Sequence, residues 1–405
     1  MRQCLPGEIP GQIGVALSGG SDSTALLVLL HDWAAARNVA LAAATVDHGL
    51  RPDSASEARL AARTCARLGI PHQTLHWRGW QGQGNLQAAA RAARFALLAD
   101  WAKGANLSAI ALGHTLDDQA ETVLMRLMRG SGVDGLSGMA MRNAMAGAIW
   151  LRPLLGLRRE DMREMLRARG FGWCDDPTND DPAYDRVRLR QAMAALGLDP
   201  EGLSATATRL QSARQVLELT AEQAARRLAK VDPAGDVILQ AEGFRALPAE
   251  TALRLLGHSL AWVASAPYRP RHAALARLHD QLLEGQRGAL AGCLVRPDRG
   301  TIRISREPAA VAEMVVPVGE IWDGRWRVRG PDQPPGASIA TLGEAGLAQC
   351  PDWRETGLMR GSLIASPAVW RDGALITAPL AGRANGWTAH LDRGAEHYFS
   401  SILSH

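Results

Sequence analysis

Lysine is scarce in this chain of 405 residues, and its cysteines do not come in pairs. The two lysines are Lys103 and Lys230. Neither follows a glycine-rich loop, so a Walker A phosphate loop, which requires a lysine after its last glycine, is excluded. None of the five cysteines stands in a CxxC pair. A zinc ribbon, an iron–sulfur cluster and a redox dithiol are therefore disfavoured.

Long apolar runs are also missing. No stretch of about 18 uncharged apolar residues occurs, so no membrane-spanning helix is expected. The first residues, MRQCLPGEIPGQ, lack the apolar core of a signal peptide, and we expect a cytoplasmic protein. The net charge is +4, and nearly all of the basic residues are arginine. This balance suits an anionic partner such as a nucleotide or RNA.

Strands and helices alternate through the first half of the chain. Short apolar runs predict strands at IGVALS, ALAAATVDHGL, HQTLHW, LSAIALGHT and AIWLRPLLGL. The segments between them have helical spacing. This order predicts an α/β protein with a doubly wound parallel sheet, whose ligands bind beyond the carboxyl ends of the strands.

The length of the chain predicts more than one domain. The acidic, proline-containing segment DDPTNDDP marks an exit from the sheet domain, and an Ala/Leu/Arg-rich stretch with helical spacing follows it. Short alternating runs nearer the C-terminus are typical of β-structure. We predict a sheet domain at 1–198, a helical domain at 199–308 and a small β-rich domain at 309–405.

The sequence SGGSDS at 18–23 follows the first predicted strand and opens a helix. Such a loop presents backbone N–H groups at a helix N-terminus, where an anion is favoured. Its two glycines allow a phosphate to approach the backbone, and Asp22 stands where a metal that bridges phosphates would be held. The alternative is an ordinary Gly/Ser turn before a helix.

The sequence VDHGLR at 46–51 ends the second predicted strand at the same edge. A backbone amide here would read the edge of an adenine, while Asp47 or His48 would approach ribose or phosphate. The alternative is a turn in which Asp47 caps the next helix.

The sequence GHTLDDQAET at 113–122 ends the fourth predicted strand and opens a helix. Asp117, Asp118 and Glu121 lie within about one turn of this helix. Three carboxylates there suit Mg²⁺ or an ammonium group. The alternative is that they only complement the helix dipole.

Two groups of arginines accompany these motifs. Arg91 and Arg94 stand about one turn apart on a predicted helix, and Arg186, Arg188 and Arg190 follow the DPTND turn. Guanidinium groups in such clusters neutralise the phosphates of ATP or RNA. The alternative for both groups is a solvated basic surface.

Together these motifs resemble those of the bacterial tRNA(Ile)-lysidine synthetases, a family of PP-loop (N-type) ATP pyrophosphatases. The resemblance rests on SGGSDS, VDHGLR, GNLQAAARAARF, GHTLDDQAETVLMRLMRGSGVDGLSGM, RPLLGLRREDMR and DPTND…YDRVRLR, in the order of the family. The helical segment after residue 200 resembles the family's first C-terminal domain, and WDGRWRVRG more weakly resembles the start of a second.

The resemblance implies a two-step reaction on an isoleucine tRNA whose anticodon is CAU. The carbon-2 oxygen of the wobble cytidine attacks the α-phosphate of ATP and releases pyrophosphate. The ε-amine of free lysine then displaces AMP and forms lysidine, so that the tRNA reads AUA in place of AUG. The resemblance also implies Mg²⁺ as the metal and a homodimer as one candidate assembly.

The resemblance carries roles onto the motif residues. Asp22 is expected to organise Mg²⁺ and pyrophosphate, and Asp22, Asp117 and Asp118 are the catalytic candidates. Asp117, Asp118 and Glu121 are the candidates for holding the lysine ammonium, with the division of roles left open. The ATP-binding candidates are Ser18, Gly19, Gly20, Ser21, Asp22, Ser23, Val46, His48 and Gly113. The tRNA-binding candidates are Arg91, Arg94, Arg186 and Arg190.

Two other functions compete with this interpretation. The first is another PP-loop enzyme, such as a tRNA 2-thiolase or an amidotransferase synthetase. Thiolation usually uses a cysteine pair, and an amidotransferase needs a glutaminase domain, and the sequence shows neither. The second is a nucleotide-binding or RNA-binding module without catalysis, which the complete acidic motif at 117–121 disfavours.

Overall fold

A computed structural model describes residues 1, 4–5, 10–49, 54–78, 80, 84–175, 185–331 and 334–403 of the chain. The chain divides into two compact units, Met1–Arg214 and Gln215–His405. The boundary between the predicted helical and β-rich domains, at 308/309, lies inside the second unit. The division into three domains stays a prediction.

The first unit contains six strands and eight helices among the described residues. The strands are β1 (Gln12–Ala16), β2 (Ala40–Asp47), β3 (His72–His76), β4 (Ile110–Ala111), β5 (Arg142–Met145) and β6 (Ala148–Leu151). The helices are α1 (Ser21–Ala35), α2 (Ser54–Arg67), α3 (Leu86–Gly104), α4 (Leu116–Met128), α5 (Val133–Leu136), α6 (Arg159–Ala168), α7 (Asp185–Ala195) and α8 (Pro200–Leu228). Helix α8 continues past the boundary into the second unit.

The strands form one sheet in the order β3-β2-β1-β4-β6-β5. Strands β3, β2, β1, β4 and β6 are parallel, and β5 pairs with β6 in the antiparallel sense. The predicted doubly wound parallel sheet is confirmed. Strand β5 was not predicted, because its hairpin turns at Ala146 and Gly147, which adopt φ values of 52° and 75°. Two-residue hairpin turns usually have the sequence Asn-Gly or Asp-Gly, and this one has Ala-Gly.

Alternating strand residues supply two cores, one on each face of the sheet. Ile13 and Val15 of β1 face a cluster that includes residues of α1, α2 and α6. Ala16 faces the other side, where Trp150 and residues of α3 pack. Helices cover both faces of the sheet. A ligand is therefore expected at the carboxyl ends of the strands.

The second unit is built on antiparallel sheets. Its strands are β7 (Ala229–Val231), β8 (Val237–Gln240), β9 (Gly288–Leu290), β10 (Cys293–Asp298), β11 (Thr301–Arg306), β12 (Val315–Pro317), β13 (Trp326–Arg329), β14 (Ser338–Thr341), β15 (Pro367–Arg371), β16 (Ala374–Thr377) and β17 (Thr388–Leu391). Its helices are α9 (Ala241–Arg245), α10 (Ala249–Val263), α11 (His272–Leu283), α12 (Pro308–Val311), α13 (Gly343–Leu347), α14 (Arg360–Ile364) and α15 (Glu396–Ser400). The sheet orders are β7-β8-β11-β10-β9, β12-β14-β15-β16 and β13-β17.

The C-terminal segment packs into the main core of this second unit. Tyr398 and Ile402 are fully buried in the cluster that contains residues of α10, α11 and the five-stranded sheet. The Tyr398 hydroxyl lies 2.8 Å from Ser259 Oγ, and the Tyr398 carbonyl lies 2.7 Å from His258 Nε2. The last described turn of the chain is therefore part of the core.

A buried acidic pair also lies within the second unit. One nitrogen of Arg303 donates to Asp232 at 2.5 Å and to Asp236 at 2.8 Å. Ser362 Oγ donates to Asp236 at 2.5 Å. Burial, with the Asp232 charge beside it, raises the pKa of Asp236 to about 6.

We expect the stability advantage of the wild type over Asp236→Asn to shrink as the pH rises from 4 to 7. The unfolded chain releases the Asp236 proton near its ordinary pKa of 3.8, whereas the folded chain keeps it up to about 6. The contribution of this group to the free energy of unfolding therefore falls by up to about 3 kcal/mol across that pH range. An asparagine does not titrate, so its contribution does not change. Denaturant unfolding of both full chains at several pH values measures the difference. A difference that does not change with pH would contradict the expectation.

Candidate active site

Two adjoining cavities open at the carboxyl ends of β1, β2 and β4. The larger is about 750 Å³ and the smaller about 220 Å³. Ser18, Glu57 and Arg94 line both of them. This is the edge at which parallel sheets bind ligands, and it is where the three polar motifs were predicted to meet.

The predicted phosphate loop connects β1 to α1 and is held by its own hydroxyls. Ser23 Oγ accepts the Ser18 N–H at 3.1 Å, lies 3.0 Å from Ser18 Oγ and donates to the Gly20 carbonyl at 3.1 Å. Gly19 has a φ of 88°, and a Cβ there would lie 3.3 Å from the Glu57 carbonyl oxygen. The loop therefore needs glycine at this position and is fixed before any ligand arrives.

Helix α1 directs its N-terminus at the larger cavity. Gly20 is the N-cap and carries no side chain to accept the first N–H groups of the helix. Ser18, Gly20, Ser21, Asp22 and Ser23 all line this cavity, whereas Gly19 does not. Backbone N–H groups at a helix N-terminus and the positive end of the helix dipole favour an anion such as a phosphate group here.

Gly113, two residues after the end of β4, allows the chain there to lie directly against the start of α1. A Cβ at this position would come within 2.9 Å of the Asp22 carbonyl group and of Ser23 Cα. These are backbone atoms, so the clash could be relieved only by moving the loop. Gly113 was predicted to bind ATP, and it lines the larger cavity.

We expect Gly113→Ala to weaken ATP binding and to destabilise the chain by about 1–3 kcal/mol, because the added methyl displaces the loop backbone. Gly156→Ala is the matched control, since a Cβ at Gly156 meets no atom within 4 Å. Thermal unfolding and equilibrium ATP binding measure the two effects. Equal behaviour of the two variants would contradict the expectation.

The smaller cavity has mostly apolar walls. It is lined by Ala16, Leu17, Ala44, Val46, His48 and Leu98, together with polar residues from the loop and α2. Such a slot suits the flat face of an adenine. Val46 and His48, which were predicted to bind ATP, both line this smaller cavity. Leu50 and Arg51 of the same motif lie outside the described residues.

Asp47 serves the turn after β2. Its carboxylate accepts the Gly49 N–H at 2.9 Å, and this bond together with one from Ser54, the first residue of α2, lowers the pKa of Asp47. The geometry therefore favours the turn interpretation for Asp47, while His48 lines the smaller cavity.

The acidic motif begins with a capping box on α4. Asp118 Oδ2 accepts the Thr115 N–H at 2.8 Å and the Thr115 hydroxyl at 3.0 Å, and the Thr115 hydroxyl caps the Asp118 N–H. Asp118 Oδ1 faces the other way and accepts from Arg159 at 2.9 Å. Asp118 therefore stabilises the start of α4 with one oxygen, and the residue also lines the larger cavity.

Arg159 joins the acidic motif to the phosphate loop. Its guanidinium donates to Asp22 at 2.8 Å and to Asp118 at 2.9 Å, and it lies 3.8 Å from Glu121. Burial raises the pKa of Asp22, against the charge of Arg159. Burial would also raise the pKa of Asp118, but Arg159 and the Thr115 N–H outweigh it and lower this pKa.

Asp117 and Glu121 differ from Asp118 in what they contact. Asp117 accepts the backbone N–H of Arg159 at 2.7 Å, and neither Asp117 nor Glu121 lines either cavity. Glu121 is 2% exposed and accepts from Arg190 at 2.5 Å. Arg186 lies 4.0 Å from the other oxygen of Glu121. Two of the predicted tRNA-binding arginines thus pair with a predicted lysine-binding carboxylate.

The remaining predicted arginines lie beside His114. Arg94 lines both cavities, and Arg91 packs over the Phe95 ring at 5.1 Å. His114 lines the larger cavity, and its Nδ1 has no hydrogen-bond partner among the described residues. Burial, opposed by Asp118 and assisted by Arg152 and Arg94, lowers the pKa of His114 to about 3. Its ring is therefore neutral near pH 7.

A family model described as a PP-loop domain matches residues 3–196. A tRNA(Ile)-lysidine synthase of Ruegeria pomeroyi is 48% identical to this chain, covering 100% of it and 97% of that protein. The chain belongs to the tRNA(Ile)-lysidine synthase family. Proteins of the same name from Bradyrhizobium sp. and Hyphomonas neptunium are each 41% identical. They cover 76% and 73% of this chain, and 93% and 81% of their own lengths are matched.

Membership confirms the family that the motifs predicted, and it makes this chain a tRNA-modifying ligase that uses ATP. The thiolase alternative is less well supported. Four of the five free cysteines are buried, and only Cys174 reaches the larger cavity. Among the described residues, no helix is long and apolar enough to cross a membrane.

Several residues that line the larger cavity were not predicted from the sequence. Arg159, Arg163, Glu57, Cys174 and Asp175 all line the larger cavity. Arg163 lies 3.4 Å from Ser21 and donates to Asp175 at 3.2 Å. The segment RPLLGLRREDMR was recognised as a family motif, but nothing in its spacing linked its arginines to the loop. Residues 176–184, which include DPTND and Tyr184, lie outside the described residues.

Proposed function

We propose that this protein attaches lysine to carbon 2 of the wobble cytidine of tRNA(Ile) with a CAU anticodon. The reaction consumes ATP, passes through an adenylated cytidine and releases pyrophosphate and AMP. The observation that carries the proposal is the meeting of Asp22, Asp118 and Glu121 around one cation position beside the phosphate loop. The phosphate loop would serve the ATP that activates the cytosine carbonyl, and the acidic cation position would serve the amine nucleophile.

In the first step the smaller cavity would take the adenine, and the loop at 18–23 would take the phosphates. Negative charge develops on the departing pyrophosphate, and the free N–H groups at the start of α1 stabilise it. Arg94, on the wall shared by both cavities, would neutralise the phosphate nearest the nucleoside.

Asp22 is the residue that we assign to Mg²⁺. No group of three or more His, Cys, Asp or Glu side chains arranged for a metal occurs among the described residues. This fits Mg²⁺, which is commonly held by one or two carboxylates together with substrate phosphates. When bound, the metal would supply positive charge to the leaving pyrophosphate.

In the second step Asp118 and Glu121 would hold the lysine ε-ammonium beside the adenylated base. The amine attacks only after losing a proton, and we assign its acceptance to Asp118, which lines the larger cavity and whose Oδ1 would be released when Arg159 leaves. We assign Asp117 to positioning α6, because its carboxylate accepts the Arg159 N–H. Arg91, Arg94, Arg186 and Arg190 would contact phosphates around the wobble nucleotide, which must leave its stack to enter the cavity.

Labelled lysine tests this proposal. Purified protein, ATP and Mg²⁺ are incubated with tRNA(Ile) bearing CAU or with tRNA(Met) bearing the same anticodon. We expect acid-stable label on the isoleucine tRNA alone, with one AMP formed per lysine. ATP cleavage without label on either tRNA would show that lysine is not the nucleophile, while the assignment of the ATP site would stand. Light scattering of the same preparation tests the homodimer implied by the family.

A further inference from the structure

One guanidinium occupies the point where three carboxylates converge. Arg159 contacts Asp22 at 2.8 Å, Asp118 at 2.9 Å and Glu121 at 3.8 Å. The Asp118 and Glu121 side chains are 8% and 2% exposed, so water contributes little to their solvation. Removing this cation would leave Asp22 and Asp118 without their ion-pair partner, which is costly for buried carboxylates, whereas Glu121 would keep its pair with Arg190.

The backbone of Arg159 is fixed while its side chain reaches the cavity. The Arg159 N–H donates to Asp117 at 2.7 Å at the start of α6. The side chain is 19% exposed and lines the larger cavity. A rotation of the side chain alone would therefore move the guanidinium away from the carboxylates without moving the helix.

A primary ammonium group has three N–H donors, and Asp118 and Glu121 beside Arg159 offer carboxylate oxygens to it, while Asp22 is the carboxylate assigned to Mg²⁺. Two cations cannot share this position, because like charges in a poorly solvated site repel strongly. A substrate ammonium that uses these carboxylates must therefore replace the guanidinium.

We propose that Arg159 occupies the position of the substrate ammonium before lysine binds: it contacts Asp22, Asp118 and Glu121, and it yields Asp118 and Glu121 to lysine. This inference rests on the proposed function, which supplies lysine as the substrate. The displaced guanidinium needs a new anion, and phosphates bound at the loop at 18–23 would supply one, because the loop and Arg159 line the same cavity. Bound nucleotide therefore draws Arg159 away and opens the lysine position, so that lysine binds after ATP.

Equilibrium dialysis with labelled lysine tests this positioning role. The proteins are wild type, Arg159→Ala, Arg159→Lys and the control Arg167→Gln, each with and without α,β-methylene-ATP. Arg167 lies on the same helix and pairs with Glu160 at the surface. Without nucleotide, we expect lysine to bind Arg159→Ala about tenfold more tightly than wild type, with Arg159→Lys between them. The analogue should tighten lysine binding to wild type and to Arg167→Gln, but not to Arg159→Ala.

Added guanidinium ion should compete with lysine on Arg159→Ala and leave the wild type unchanged. Weaker lysine binding to a folded Arg159→Ala, as judged by thermal unfolding, would overturn the inference. So would nucleotide coupling of the same size in all four proteins. Failure of the wild type to transfer lysine to tRNA would instead overturn the proposed function, so the two failures are distinguishable.

Discussion

Asp22→Ala is expected to lower the rate of lysidine formation by about 10²–10³-fold with little change in stability, because it removes the carboxylate assigned to the Mg²⁺ that would neutralise the reacting phosphates. Asp22 lies in the first turn of α1, lines the larger cavity and contacts Arg159 and Ser21. It is the carboxylate assigned to Mg²⁺ and the departing pyrophosphate. The first step should therefore fail, and pyrophosphate release should fall together with lysine transfer.

The matched control for Asp22→Ala is Asp32→Ala. Asp32 lies on the same helix and pairs at the surface with Arg169. Its loss should leave both rates within about twofold of wild type, since exposed pairs contribute little. Pyrophosphate release and labelled-lysine transfer are measured on both variants with tRNA present. An Asp22→Ala enzyme within about tenfold of wild type would contradict the assignment.

Asp118→Asn is expected to damage both the reaction and the fold. One oxygen of Asp118 caps α4 through Thr115, and the other faces Arg159 in the cavity. If the asparagine keeps its oxygen toward Thr115, its NH₂ group meets the Arg159 guanidinium, donor against donor. We expect transfer to fall about 10²–10³-fold and the free energy of unfolding to fall by about 1–2 kcal/mol.

Asp117→Asn is the informative comparison, because the two residues are adjacent and were equal candidates from sequence. Asp117 accepts the Arg159 N–H at 2.7 Å and forms an ion pair with the Arg158 side chain at 3.5 Å. We expect a loss of about tenfold in transfer, through displacement of α6. Complete time courses of lysine transfer, together with denaturant unfolding, are measured on both variants to compare the roles of Asp117 and Asp118. A larger loss in Asp117→Asn than in Asp118→Asn would reverse the division of roles.

The sequence predicted the parts of the site whose placement depends on local patterns. A strand followed by SGGSDS and a helix leaves little freedom, and a second strand followed by GHTLDD must end at the same edge when the sheet is parallel. The burial of β1 and β4 between two helical layers then brings Gly113 against Asp22. The place of each motif in the fold was thus available from spacing, whereas its role was implied by the family resemblance.

Contacts set by tertiary packing were not available. Arg159 stands 137 residues after Asp22 in the chain, and their contact depends on how α6 packs against α1. The pairing of Glu121 with Arg190 depends in the same way on α7. The open choice among Asp117, Asp118 and Glu121 had the same cause, since all three share one helix and only their partners distinguish them.

The burial of Tyr398 and Ile402 has a consequence for the synthesis of this protein. The core of the second unit includes Leu255 and Val263 of α10, yet it is closed by residues that leave the ribosome well over a hundred positions later. Until then, apolar surface around α10 has no cover, and such surface is prone to aggregation. The first unit takes its core from residues before 215 and can fold on the ribosome, whereas the second must finish folding after translation has passed Ile402.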